Sequence, residues 1–221
     1  MRQTDRAEER GRIAGSDKGQ DRIAQILAAT QTILIRDGYA RLSLRSIARE
    51  CGISVGNLNY YFSRKSELLR ALIDAVWQGY VEEIVEIRRG IFASPLAELE
   101  SVLRFIFQDL RTRDTTVFFP ELWALANHED YASEVMDRLY AYERGVFQEL
   151  IEQVRPELPG DAIERLALHI SASMEGHTLF VGAGKRFERD RKVEDLAIRT
   201  YLELVGSYAL TDIENQPPGY P

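Results

Sequence analysis

The chain has 221 residues, 45% of them hydrophobic, with a single cysteine and a net charge of −7. That composition supports a sizeable core in one large domain, or in a small domain joined to a larger one, and one cysteine excludes a disulfide framework or a multi-cysteine zinc site. The opening MRQTDRAEERGRIAGSDKGQ has no apolar signal region, and no apolar run approaches the ~18 residues that span a bilayer, so a soluble cytoplasmic protein without a membrane partner is expected.

The charge is unevenly placed. Residues 1–70 carry 13 Lys and Arg against 8 Asp and Glu, a net of +5, while the other 151 residues carry 15 against 27, a net of −12. A basic first third on an acidic remainder suggests two electrostatic tasks, the acidic part steering a polyanion towards the basic one.

From about residue 20 onward the apolar spacing is helical throughout, and no run alternates as a strand does, so the fold class is all-α with nine or ten helices. Residues 1–19 and 212–221 read as disordered. In the first stretch Arg10 or Arg12 could enter a minor groove, although four acidic neighbours favour a solvated tail. Ile23, Ile26, Leu27, Thr30, Ile33 and Leu34 mark a first helix closed by Gly38. Ser43 caps a short second helix with Leu44, Ile47, Ala48 and Cys51 inward, ended by Gly52. Ser54 caps a third over roughly 55–61, and Ser63 or Ser66 opens a longer fourth.

Beyond Gly90, Ser94-Pro95 opens a helix through Leu110. TVFFPELWALAN (116–127) forms a short aromatic one with Pro120 near its start. Residues 131–154 make a long amphipathic helix, Asp161 caps another to about Gly182, and a last runs from Val193 to Leu210. The boundaries expected are 20–66 for the first folded domain and 67–211 for the second.

Two short helices around a glycine turn, after a packing helix, are the parts of a helix-turn-helix DNA reader. At about 100° per residue, Val55, Leu58 and Phe62 share one packing arc, and Gly56, Asn57 and Tyr60 lie opposite, with Asn59 and Tyr61 on the flanks. Asparagine can pair with adenine through two hydrogen bonds, and a tyrosine hydroxyl can bond a phosphate or a base edge. Ser54 and Val55 stand with these at the helix start. Lys65, at the opening of the fourth helix, suits a phosphate, and Ser43 and Arg45 can reach backbone and groove. The plainer reading is two packing helices of an ordinary bundle, against which cap, turn, polar arc and lysine coincide.

The segment GISVGNLNYYFSRKSELL resembles the DNA-binding segment of the tetracycline-repressor (TetR) family of bacterial regulators. Ser43, Ile47, Ala48, Gly52, Ile53, Ser54, Gly56, Leu58, Tyr61, Phe62, Lys65 and Leu68 match that pattern in order and spacing, over about residues 23–72. The chain departs at Asn59, where the family usually carries a tyrosine. Either Tyr60 makes up the aromatic contact or Asn59 reads a base. The resemblance implies a repressor released from a double-stranded, near-palindromic operator by a small-molecule inducer. It also implies a homodimer through helices 161–182 and 193–210, and an inducer pocket inside the larger domain.

Trp77, Phe105, Phe118, Phe119, Trp123, Met136, Met174 and Phe180 are candidates for lining that pocket, each more often plain core. Glu121 could face a cationic ligand, although a surface carboxylate is the commoner use of such a position, and His177 is counted with the pocket set. His169 and His177 share a helix face and suit satisfied polar groups at the dimer interface better than metal ligands. The small residues Ser171, Ala172, Ser173, Gly176 and Gly182 permit close helix approach there. No catalytic constellation, cofactor motif or metal set is found. The alternative is a helical small-molecule carrier or enzyme that keeps the fold without reading DNA.

Overall fold

The computed structural model describes residues 17–207, and among these the regular structure is helical. The order is α1 (Asp17–Asp37), a 3-10 turn (Tyr39–Arg41), α2 (Leu44–Glu50), α3 (Val55–Tyr61), α4 (Lys65–Arg88), α5 (Pro95–Leu110), α6 (Arg113–Ala126), α7 (Asp130–Val154), α8 (Gly160–Val181) and α9 (Arg191–Ser207). Residues 17–19, expected in a disordered arm, begin α1, while residues 1–16 and the tail beyond 207 lie outside the described residues.

The helix boundaries follow their local chemistry. Ser43 Oγ accepts from the Ser46 amide at 3.1 Å, and Ser46 Oγ accepts from the Ser43 amide at 2.9 Å, a reciprocal box at the start of α2. Ser54 Oγ accepts from Asn57 N–H at 3.1 Å, and Ser94 caps α5 with Pro95 in its first turn. Gly38 (φ 78°) and Gly52 (φ 65°) are left-handed, which a side chain would strain, and each redirects the chain between two helices.

Three helix starts differ from expectation. α6 begins at Arg113, three residues early, and runs on through Pro120. A proline lacks only its own amide bond and clashes with the carbonyl one turn back, which this helix tolerates. α8 is preceded by Pro159 with no side-chain cap; Asp161 instead lies in its first turn and pairs with Arg165 at 2.7 Å. α9 starts at Arg191, two residues before Val193.

The chain divides into two compact units. The first runs up to Tyr80 and includes Val117–Met136; the second holds Val81–Thr116 and everything from Asp137 onward. The division therefore falls inside α4, α6 and α7, whereas the boundary expected at residue 66 falls within the first turn of α4. In the first unit α2 packs on α1 and α3 on α2, with Ile26, Ile33, Ile47, Ala48, Leu58, Leu68 and Leu69 at or near zero exposure. A seven-residue helix such as α3 does not persist alone in water, so this packing is what holds its direction.

The second unit is built around α5, which packs on α8 and α9, with Leu99, Leu103, Phe107, Phe147, Leu150 and Ile170 fully buried. Arg111, 7% exposed, ties its end down. Its guanidinium meets Glu194 Oε2 at 2.9 Å and donates to the Glu188 carbonyl. Such a buried pair fixes geometry more than it adds stability. Gly182 passes so close to Thr116 that an added Cβ would lie 2.5 Å from its hydroxyl.

Candidate nucleic-acid interface

α3 packs through Leu58 (0% exposed) and Phe62 (8%), and Phe62 N–H closes the helix on the Leu58 carbonyl at 2.9 Å. Val55, expected in the same packing arc, is 37% exposed. It stands at the first position of α3. Ser54, Gly56, Asn57 and Asn59 are exposed beside it, with Tyr60 and Tyr61 half-buried. The two tyrosine rings meet edge to face, 5.3 Å between centroids, so each limits the other's rotation.

Gly56 is exposed in the first turn of α3. An added Cβ would meet only Ser54 Oγ, at 3.8 Å, an ordinary contact, and its φ is not left-handed. Nothing inside the protein requires glycine there, and glycine in a helix costs ~1 kcal/mol relative to alanine. The position therefore leaves the start of α3 open to close approach from outside. The Ser43 hydroxyl, by contrast, is largely committed to the cap, lying 3.1 Å from Ser46 Oγ as well as bonding the Ser46 amide.

The turn that feeds α2 is clamped from three helices of the same unit. Tyr39 N–H donates to Glu121 Oε2 of α6 at 3.1 Å, and Lys65 Nζ of α4 donates to the Tyr39 carbonyl at 3.2 Å. The same ammonium sits 3.5 Å above the centre of the Tyr39 ring, and Tyr131 of α7 shares a hydrogen bond with the Tyr39 side chain. Burial holds Lys65 below the usual lysine range and, with the nearby Tyr39 and Glu129 charges, pushes the Tyr131 phenol up.

Lys65 thus has a partner inside the protein, beside the phosphate role expected of it. Exposed cations in this stretch of the chain are Arg41, Arg45 and Arg49 around α2 and Arg64 just ahead of α4. Arg64 stands directly before Lys65, the residue that matches the family pattern. Glu121 is likewise the clamp's acceptor and not a surface carboxylate. A sequence separation of 82 from Tyr39 leaves no local trace of the pairing.

The other ligand candidates are divided between the two units. Trp77, Phe118, Phe119, Glu121, Trp123 and Met136 lie in the first, and Phe105, Met174 and His177 in the second. Phe118, Phe119 and Met174 are buried core. Phe118 and Glu121 border a small cavity with Leu34, Tyr39, Leu69 and Leu122. Its volume of about 10 Å³ has room for one water at most.

His169 is exposed, whereas His177 turns inward, its Nδ1 2.8 Å from the Ser173 carbonyl and its ring edge-on to Phe107. The two do not act as one face. The small-residue stripe is also split: Ser171 is buried and Gly182 rests on Thr116, while Ala172 is exposed. Phe180, taken as cavity lining, is 59% exposed. Glu143, which nothing in the sequence singles out, and Glu175 each bury a carboxylate oxygen with no hydrogen-bond partner.

No helix among the described residues is long and apolar enough to cross a membrane. Residues 26–72 match the family model for bacterial regulatory proteins of the tetR family, and residues 95–205 match that for the C-terminal part of BetI-type transcriptional repressors. The HTH-type transcriptional regulator PksA of Bacillus subtilis is 30% identical over 128 residues, 58% of this chain and 60% of PksA. The chain thus spans about three fifths of that relative's length. A TetR transcription regulator from Haloarcula marismortui has the same fold, with a TM-score of 0.66 and 21% identity over 84% of this chain and 97% of its own. So does a transcriptional regulator from Saccharomonospora viridis solved in complex with choline, with a TM-score of 0.68 and 17% identity over 86% and 97%. The helix-turn-helix geometry, the two family matches and the shared fold agree, and the chain belongs to the TetR family of transcriptional regulators.

Proposed function

We propose that the chain is a homodimeric repressor that holds a near-palindromic operator until a small-molecule inducer releases it. The observation that carries this reading is the outward face of α3, where Gly56 has no internal purpose and Asn57 and Asn59 are exposed beside it. Two such helices would enter successive major grooves, about 34 Å or a multiple apart. Asn57 and Asn59 would read base edges. Tyr60, Tyr61 and Ser54 would bond phosphates, since a capping hydroxyl that accepts can still donate, and Arg45 and Arg64 would supply the charge.

Dimerisation through α8 and α9 is supported by Leu168, Leu179 and Leu196, each more than half exposed on those helices. A row of large apolar side chains open to water is the mark of a missing partner surface. Inducer and operator must oppose each other reciprocally, each weakening the other's affinity by the same factor.

Selection of random duplexes by the purified protein tests the reading: a two-fold symmetric motif is expected. Asn57→Ala should relax the preference at one position per half-site, by ~1–3 kcal/mol. Recovery of no motif at low salt would instead favour a carrier that keeps the fold.

A further inference from the structure

α7 and α8 bring an unusual set of polar groups together in the second unit. Tyr140 and Glu143 lie three residues apart on one side of α7, and Ser171, Glu175 and Thr178 follow one another on one side of α8. Ser171 donates a hydrogen bond to Glu143, and Tyr140 donates one to Glu175. Glu143 Oε1, Glu175 Oε2 and Thr178 Oγ1 remain buried with no partner.

The surroundings sharpen the shortage. Asp109 of α5 adds negative charge near Glu175, although one of its own oxygens accepts from Thr115 Oγ1 at 2.7 Å. Arg144 is a favourable charge for Glu143, and Tyr201 of α9 shares a hydrogen bond with Ser173, a neighbour on α8. Burial, with Glu143 beside it, pushes Glu175 up to about 8, and burial pushes Glu143 to about 6. Near pH 7 the two together therefore hold about one proton. A structural acid pair would close on itself through that proton. Here each carboxyl bonds a different hydroxyl and leaves its other oxygen bare.

With one proton on the pair, one carboxylate still faces a buried site bare and with a net negative charge beside Asp109, which calls for a donor that carries positive charge. Among the described residues no set of three or more His, Cys, Asp or Glu is grouped so as to hold a metal ion. A quaternary ammonium would bring charge but no N–H. We propose that Glu143, Glu175 and Thr178 are the recognition end of a ligand site for a protonated primary or secondary amine, with Tyr140 bordering it. On binding, the amine's N–H groups donate to the bare oxygens, and the proton held by the pair passes to solvent, leaving both carboxylates ionised. The site deepens the ligand-responsive reading above and rests on that reading for its regulatory meaning.

The test is calorimetry on the full chain with benzylamine, putrescine and n-butylamine, each against its alcohol isostere, with choline as the quaternary comparator. At least one amine is expected to bind, at least tenfold tighter than its alcohol and tighter than choline. Its affinity should rise by roughly tenfold per pH unit between pH 6 and 8, with about one proton released. Glu175→Gln should lower the affinity more than tenfold at pH 8, and Glu164→Gln, exposed on the same helix, should leave it unchanged. Binding by no amine at any pH, equal binding of the alcohols, or affinity indifferent to pH overturns the site. Operator affinity is measured separately. Amine binding that leaves it unchanged sinks the inducer reading and spares the site, while operator selection without amine binding sinks the site alone.

Discussion

The two units treat buried carboxylates in opposite ways. In the first, Glu121 has its oxygen on the Tyr39 amide, and that turn is further held by Lys65 and Tyr131. In the second, Glu143 and Glu175 each keep an oxygen bare. A satisfied acid fixes a shape, here the turn from which α2 sets out. An unsatisfied one raises the energy of the empty protein and lowers that of whatever fills it.

The largest expected effect lies in the second unit. The folded Glu175 carboxyl is raised to about 8 from 4.5, so the folded chain binds a proton that the unfolded chain releases. Stability from this group is therefore full below about pH 4.5, declines as pH rises, and is lost by about pH 8. Glu175→Gln should remove most of that decline and raise stability at pH 8.5 by up to roughly 4 kcal/mol, read by urea unfolding at pH 5.5 and 8.5. A wild-type curve already flat across that window would erase the contrast.

Next is the clamp. Glu121→Ala leaves the Tyr39 amide without its charged acceptor and should cost ~1.5–3 kcal/mol. Operator affinity should fall with it, although Glu121 touches no DNA. Unchanged stability would mean that the turn is held by Lys65 and Tyr131 alone.

Smaller still is the division among cations. Arg45→Ala should reduce the slope of log affinity against log salt by about one, and Lys65→Ala should leave that slope alone, since its ammonium faces Tyr39. Equal slope changes in titrations from 50 to 200 mM salt would return Lys65 to the phosphates. The smallest change is Gly56→Ala, expected to raise stability by ~0.5–1 kcal/mol while weakening operator binding. Tighter operator binding would show that the glycine serves nothing outside.

These contrasts also mark what could be read from residues in order. Caps and turns are local, so Ser43, Ser54, Gly38 and Gly52 were legible, as were the helices they punctuate. The packing arc was legible at Leu58 and Phe62 but failed at Val55, because periodicity gives a direction and not how far a neighbour extends. The Tyr39 contact of Lys65 was not legible, because a long flexible side chain can serve an anion or a ring face within reach. The Tyr39–Glu121 and Glu143–Glu175 pairings are set by how distant helices are rotated against each other. Until that rotation is known, a glutamate on an amphipathic helix looks like any solvated one.

The division of the chain inside three helices has a mechanical consequence. α4 has 24 residues, a rod of about 36 Å at 1.5 Å per residue. It belongs to one unit up to Tyr80 and to the other from Val81. A tilt of only ~5° at one end of such a rod moves the other by about 3 Å, close to the rise of one base pair along B-DNA. Gly79, the one residue of α4 without a side chain, stands just before that point, so the helix carries both a long arm and a soft place within it.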